Sequence, residues 1–136
     1  MYKAILFDLD GTLTESGEGI TKCVQYALEK LGKPEEDLKK LEVFIGPPLK
    51  EQFMKSAGLD EETAVKAVKY YRERYSNVGI FENKPYPGVE NMLQELRRKK
   101  YILAVASSKP EYYVKQILDH FHLTEYFDEI VGSQMD

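Results

Sequence analysis

The sequence is poor in cysteine and has no long apolar run. A single cysteine, Cys23, stands among 136 residues, which excludes an internal disulfide and is typical of a reducing compartment. No apolar run approaches the ~20 residues that cross a bilayer. The run 4–7 is too short for the core of a signal peptide, and acidic residues follow it at once. We therefore expect a cytoplasmic protein that does not bind a membrane.

An excess of basic charge is also missing. The chain has 19 basic and 23 acidic residues, a net charge of −4, which argues against a nucleic acid as a macromolecular partner. Hydrophobic residues make up 43% and charged residues 31%, a balance typical of a globular chain rather than a disordered one. The length suffices for one ordinary domain, or for a small domain with an insertion.

Hydrophobic periodicity predicts both strands and helices. Short apolar runs at residues 2–7, 101–106 and 127–131 predict strands, and the first of them has the pattern of a strand buried on both faces. Apolar residues at helical spacing predict helices at about 16–31, 35–41, 49–57, 61–75, 89–96 and 114–121. Gly32 and Pro34 end the first of these helices.

The order of these elements predicts an α/β fold. Strands that alternate with helices favour a parallel sheet. The helices between residues 17 and 79 are too many for a single crossover, so we interpret them as an inserted helical domain. The predicted division is a core of residues 1–15 and 82–136 and a helical cap of residues 16–81.

Two acidic residues follow the first predicted strand. Ligands of open parallel sheets bind beyond the carboxyl ends of the strands, and Asp8 and Asp10 lie at such an end. Carboxylates this close repel each other unless a cation such as Mg²⁺ lies between them. Gly11 allows the backbone to turn away, and Thr12 adds a hydroxyl. The alternative is a pair of solvated loop acids; an EF-hand is excluded because its glycine and glutamate positions are not matched.

A second polar group follows the predicted strand at 101–106. Ser108 and Glu111 have the spacing of a capping box, which predicts a helix start whose backbone N–H groups would bind phosphate. Ser107 at the strand tip is a candidate donor to a phosphate oxygen. The alternative for both serines is that they serve only the turn and the helix cap. Lys109 is a further candidate phosphate ligand, and its alternative is an ordinary surface lysine.

Several of these segments resemble signatures of one enzyme family. Residues 7–13, FDLDGTL, and 104–110, AVASSKP, resemble the first and second signatures of phosphatases of the haloacid dehalogenase superfamily. The helical insertion, with residues 46–49, GPPL, and 86–89, YPGV, resembles the phosphoglycolate phosphatase-like branch. The fold implied is an incomplete Rossmann-like parallel sheet core with an inserted α-helical cap.

The resemblance implies roles for individual residues. Asp8 would attack phosphorus and form an aspartyl-phosphate, and Asp10 would act first as acid and then as base. Asp8, through its carboxylate, and Asp10, through its carbonyl, would bind Mg²⁺. Thr12, Ser107, Ser108 and Lys109 would contact the phosphate. An acid at Asp10 argues against true dehalogenase activity.

The loop Gly46, Pro47 and Pro48 is expected to face the active-site mouth and influence substrate choice. The alternative is a plain connector between helices. The lysine of the family's third signature and the acidic pair of its fourth are not found. We therefore expect a longer parent protein, and expect the 136-residue chain alone to have little or no phosphatase activity.

The resemblance implies a small phosphorylated metabolite as substrate, such as phosphoglycolate, a nucleoside monophosphate or pyrophosphate. A sugar-phosphate mutase is the nearest catalytic alternative. A different class of function is a non-catalytic fragment that binds metal or phosphate weakly. Since the first strand would lie in the middle of a complete sheet, we also expect self-association through its exposed edge.

Overall fold

A computed structural model describes residues 3–134. The chain divides into two compact units: the residues up to Glu15 together with those from Lys84 onward, and the segment from Ser16 to Asn83. Residues 82 and 83 fall in the second unit, whereas the sequence-based division placed them in the core. Among the described residues, no helix has both the length and the apolar character needed to cross a membrane.

The first unit contains every strand of the described chain. The strands are β1 (Ala4–Phe7), β2 (Thr14–Glu15), β3 (Lys84–Pro85), β4 (Ile102–Pro110) and β5 (Glu129–Ser133). A parallel sheet has the order β1-β4-β5, and β2 pairs with β3 in a separate antiparallel ladder. The predicted α/β class with a parallel sheet is confirmed.

Five α-helices lie within the described residues, α1 (Gly17–Lys30), α2 (Leu49–Ala57), α3 (Glu61–Tyr75), α4 (Val89–Arg98) and α5 (Glu111–His120). Short 3₁₀ segments span Leu38–Phe44, Gly79–Phe81 and Thr124–Tyr126. The bounds predicted for α2 and α3 are confirmed. The helix predicted at 35–41 is a 3₁₀ segment that begins three residues later, because Asp37 caps it by accepting a hydrogen bond from the Lys39 N–H at 3.0 Å.

The prediction that the first strand is buried on both faces is wrong. Within the described residues β1 pairs with β4 alone, and Leu6 is 70% exposed. Tyr2, the first residue of the predicted strand, lies outside the described residues. The central strand is β4, where Leu103 and Val105 have no exposed surface. An apolar run therefore identified the strand but not its place in the sheet.

The sheet is apolar on both faces, but residues 3–134 cover only one of them. The strands β1, β4 and β5 follow one another across the sheet in the same order as along the chain. Because crossovers between parallel strands are right-handed, α4 and α5 lie on the same face of the sheet. Register places the side chains of Leu6, Ile102 and Val131 on the opposite face, where they are 70%, 42% and 47% exposed. The first unit thus has an open apolar face.

Two glycines approach each other closely in the second unit. A Cβ on Gly19 would lie 2.2 Å from the carbonyl oxygen of Gly79, and a Cβ on Gly79 would lie 2.4 Å from Cys23 Sγ. Beside this contact Arg74 donates to both carboxylate oxygens of Glu82, at 2.7 and 3.2 Å, and to Cys23 Sγ at 3.2 Å. The single cysteine is buried here, as expected of a small core residue.

Candidate active site

The loop after β1 is a tight turn anchored by buried leucines. The carbonyl of Leu9 accepts hydrogen bonds from the N–H groups of Thr12, Leu13 and Thr14 at 3.3, 2.9 and 3.1 Å. Gly11 has φ = +81°, a conformation that glycine adopts without steric cost. Leu9 and Leu13 are fully buried. The turn therefore presents its polar side chains from a fixed backbone.

The two aspartates of this loop lie in different environments. Asp8 is exposed, and its Oδ1 accepts a hydrogen bond from the Leu9 N–H at 2.8 Å. Asp10 is only 9% exposed. Its Oδ1 lies 3.0 Å from Lys109 Nζ, and the two side chains are 6% and 8% exposed. The structure thus joins the β1 loop to the β4 tip through a nearly buried ion pair.

Lys109 is therefore not an ordinary surface lysine. Its ammonium group lies against Asp10, although 99 residues separate the two along the chain. The two tips meet because the β1 and β4 strands pair in parallel, so that their carboxyl ends lie at the same edge of the sheet. A contact between Lys109 and phosphate stays a prediction.

The β4 tip is irregular where it carries the predicted phosphate ligands. The β4–β5 register shifts between Ala106 and Pro110. Within this stretch Ser107 Oγ accepts a hydrogen bond from the Lys109 N–H at 3.1 Å. Ser107 is half-buried and Ser108 is exposed. A bulge of this kind re-aims side chains, and bulges are frequent beside active sites.

The predicted helix start at Ser108 is wrong. Helix α5 begins at Glu111, with Pro110 at the N-cap position and no side chain capping it. The physical reason is Pro110 itself, because a proline disfavours the helical conformation of the residue before it. Glu111 is therefore not half of a capping box. Its Oε1 accepts a hydrogen bond from the Gly132 N–H at 3.4 Å.

The candidate residues fall into two groups. Asp8, Asp10 and Thr12 lie on the β1 loop, and Ser107, Ser108 and Lys109 lie on the β4 tip, all in the first unit. Thr12 is exposed. The loop Gly46, Pro47 and Pro48 belongs to the second unit, where Gly46 has φ = +103° and Pro48 occupies the N-cap position of α2.

Sequence reasoning missed Gly132. This residue of β5 contacts the β4 tip so closely that no side chain fits between them. A glycine inside a strand pattern is a general signal of a bulge or of a close backbone approach. That signal was present in the run 129–133 but was not used.

The donor set fits a magnesium ion only in part. Among residues 3–134, no group of three or more His, Cys, Asp and Glu side chains could hold a metal. Mg²⁺ retains several waters and is commonly bound through one or two carboxylates and a substrate phosphate. Asp8 and Asp10 supply oxygen ligands of the right chemistry for such a site, with the remaining positions left to water and substrate.

Comparison with known proteins agrees with these features. Residues 5–135 match the family model described as haloacid dehalogenase-like hydrolase. The chain belongs to this family. A haloacid dehalogenase-like hydrolase was thus correctly recognised from the two signature segments, and its α/β fold follows.

Similar proteins carry several functional names. A 5'-nucleotidase of Pseudomonas aeruginosa is 47% identical over 99% of the chain and 61% of its own length. A phosphoglycolate phosphatase of Aquifex aeolicus is 35% identical over 96% of the chain and 61% of its own length. Tyrosine-protein kinase PtkA of Mycobacterium tuberculosis is 37% identical over 97% of the chain and 45% of its own length.

A solved structure supports the same fold assignment. The structure of a predicted phosphatase from Clostridium acetobutylicum is 53% identical, with a TM-score of 0.96. It is matched over 98% of the chain and 62% of its own length. The chain of this haloacid dehalogenase-like hydrolase thus spans about three fifths of these phosphatase relatives.

Proposed function

We propose that the full-length parent of this chain hydrolyses a small phosphate monoester through an aspartyl-phosphate on Asp8. The single observation that carries the proposal is the Asp10–Lys109 ion pair, 3.0 Å long and nearly buried, on the loop that also carries Asp8. An acid–base group and a cation beside an exposed carboxylate are the parts that phosphoryl transfer needs. The family and the names of its phosphatase relatives support the same reaction class.

In the first step a carboxylate oxygen of Asp8 forms a bond to phosphorus. Once Lys109 engages the phosphate, the released carboxylate of Asp10 takes up a proton from solvent. The bond from phosphorus to the leaving oxygen breaks, and Asp10 passes this proton to that oxygen. In the second step Asp10 removes a proton from water, whose oxygen attacks the aspartyl-phosphate. Inorganic phosphate leaves, and Asp8 is restored as a carboxylate.

The charge of the transferring group requires positioned donors. Charge in the transition state gathers on the oxygens of the phosphoryl group. We assign Lys109 and the hydroxyls of Ser107, Ser108 and Thr12 to these oxygens. Lys109 holds one oxygen of Asp10 at 3.0 Å, so engagement of a phosphate by Lys109 would release that oxygen to the leaving group.

Magnesium belongs to this proposal. Asp8, through its carboxylate, and Asp10, through its carbonyl, would hold the ion. When bound, Mg²⁺ neutralises charge on the phosphoryl oxygens and the nucleophile. The nucleophile Asp8, the acid Asp10 and the ammonium group of Lys109 lie at two adjacent strand ends.

The proposed substrates are phosphoglycolate and nucleoside monophosphates. This proposal rests on the names of two relatives, a phosphoglycolate phosphatase and a 5'-nucleotidase. The influence of Gly46, Pro47 and Pro48 on substrate choice stays a prediction. A sugar-phosphate mutase would differ in outcome, because phosphate would be transferred to a second sugar position rather than released.

The nucleophile is tested by Asp8→Asn in the full-length protein. An amide cannot replace the carboxylate nucleophile, so release of inorganic phosphate should fall by roughly 10³-fold or more. The same substitution at Asp37, the exposed cap of the 3₁₀ segment, is the matched control and should leave turnover unchanged. Near-normal turnover by a folded Asp8→Asn variant contradicts the assignment.

A further inference from the structure

The irregular tip of β4 lies opposite a single residue of β5. Ladder partners are Ala106 with Val131 and, beyond the irregularity, Pro110 with Ser133. Three residues of β4, 107–109, therefore lie opposite Gly132 alone. These are the residues assigned to the phosphate, so Gly132 is the β5 residue that faces the phosphate-binding segment.

The backbones at this point are too close for any side chain at position 132. A Cβ on Gly132 would lie 2.5 Å from Glu111 Cα, 2.6 Å from Glu111 N and 2.7 Å from the Lys109 carbonyl oxygen. All three atoms are backbone, so no rotation of a side chain can relieve the overlap. Since Cβ contacts under 3.0 Å essentially never occur, the segment from Lys109 to Glu111 and β5 would have to move apart.

A second contact holds the same place together. The Gly132 N–H donates to Glu111 Oε1 at 3.4 Å. The carbonyl that the new Cβ would displace belongs to Lys109, whose ammonium contacts Asp10 at 3.0 Å and whose side chain is 8% exposed. A nearly buried side chain has little freedom to compensate for a shift of its own backbone.

We propose that Gly132 is a positioning residue, which sets the place of the segment 107–109 and thereby of the Lys109 ammonium. The proposal rests on the proposed function, since that function assigns the segment to phosphate. Gly132 touches no reacting atom. It contributes in two ways: the absence of a Cβ lets the β4 tip pack directly on β5, and the hydrogen bond from its N–H to Glu111 holds the tip there. Together they direct Lys109 toward Asp10.

The test is Gly132→Ala, with inorganic phosphate as the probe. Binding is followed by amide NMR titration in the presence of Mg²⁺. Because the substitution displaces Lys109 from its binding position, the affinity for phosphate should fall roughly ten- to a hundredfold. Ser133→Ala, one residue further along β5, is the matched control and should bind phosphate as the natural protein does.

A double-mutant cycle separates positioning from a general structural defect. If Gly132 acts through Lys109, then Gly132→Ala should cause no further loss of phosphate affinity in the Lys109→Met background. In the full-length protein the pH profile of turnover should shift in the same way in both single variants. Additive losses, or an unchanged phosphate affinity in Gly132→Ala, overturn the proposal.

Two further measurements keep the outcomes distinct. Should Gly132→Ala not fold, Glu111→Ala removes the acceptor of the Gly132 N–H without adding atoms, and unchanged phosphate binding there overturns the proposal. Should the natural protein bind no phosphate, the proposed function fails instead. The positioning of Lys109 is then read from the NMR signals of its side-chain ammonium group, which Gly132→Ala must shift.

Discussion

At the scale of single residues, the site depends on one long-range pair. Asp10 and Lys109 are both nearly buried and lie 3.0 Å apart. Removing one partner of such a pair leaves the other charge in a poorly solvated place. The role of Lys109 is therefore both structural and, by our proposal, functional, and the two effects can be measured separately.

The first prediction concerns Lys109→Met. Because Asp10 would lose its ammonium partner, the free energy of unfolding should fall by about 2 kcal/mol or more, and phosphate affinity should fall as well. Chemical denaturation and phosphate titration measure the two losses. Lys115→Met is the control, because Lys115 is exposed and its pair with Glu111 is a surface pair that contributes little. Equal stability of the two variants would contradict the importance of the ion pair.

At the scale of elements, Glu82 links the end of the helical unit to α3. Hydrogen bonds from Arg74 hold the pKa of the Glu82 carboxyl below its usual value. The same bonds hold the pKa of Arg74 above its usual range. The carboxyl and the guanidinium are 19% and 21% exposed, so solvent weakens the pair only in part.

The pair predicts a dependence of stability on pH. A carboxyl whose pKa is lower in the folded state stabilises that state at any pH above its pKa in the unfolded chain. This contribution is lost as the pH falls through its pKa in the folded state. Glu82→Gln should therefore lower the free energy of unfolding by about 2 kcal/mol at neutral pH. The difference from the natural protein should shrink below pH 4.5, the usual glutamate value.

Urea denaturation at several pH values checks this prediction. Glu35→Gln is the control, since its partner Lys40 is 69% exposed, and a surface pair of this kind contributes little at any pH. A difference between Glu82→Gln and the natural protein that stays constant from neutral pH to pH 3 would show that protonation of Glu82 is not the cause.

At the scale of the whole molecule, the sheet has an exposed edge and an open face. We propose that the 136-residue chain self-associates through β1, where Leu6 is 70% exposed and the described residues provide no strand beyond it. Unpaired apolar edges favour pairing with another chain, and a lysine on such an edge opposes it. Leu6→Lys should therefore shift the chain toward the monomer in sedimentation velocity.

The control for this prediction lies in the other unit. Val65 on α3 is 53% exposed, and Val65→Lys adds the same charge without altering the sheet edge. Association should persist in that variant. A natural chain that stays monomeric at all accessible concentrations, or an equal response of both variants, would rule out association through β1.

The sequence by itself determined the family, the fold class and most helices of this protein. These features depend on local patterns: an apolar run that ends in Asp8-Leu9-Asp10-Gly11, and apolar periodicity that placed α2 and α3 at their observed bounds. Local patterns are readable because backbone conformation and side-chain spacing are coupled within a few residues. The same patterns failed at Ser108, where a capping signal conflicted with Pro110 and the proline prevailed.

The tertiary structure alone decided which of the candidate residues meet. Lys109 reaches Asp10 across 99 positions because β1 and β4 pair in parallel, and no spacing rule covers such a distance. Gly132 matters because two backbone segments approach each other closely. The sequence of one segment does not reveal which other segment approaches it. Leu6 is exposed because it lies on the open face of the described sheet, on a strand with one neighbour. Each of these properties belongs to a pair of segments, so it exists only once the chain has folded.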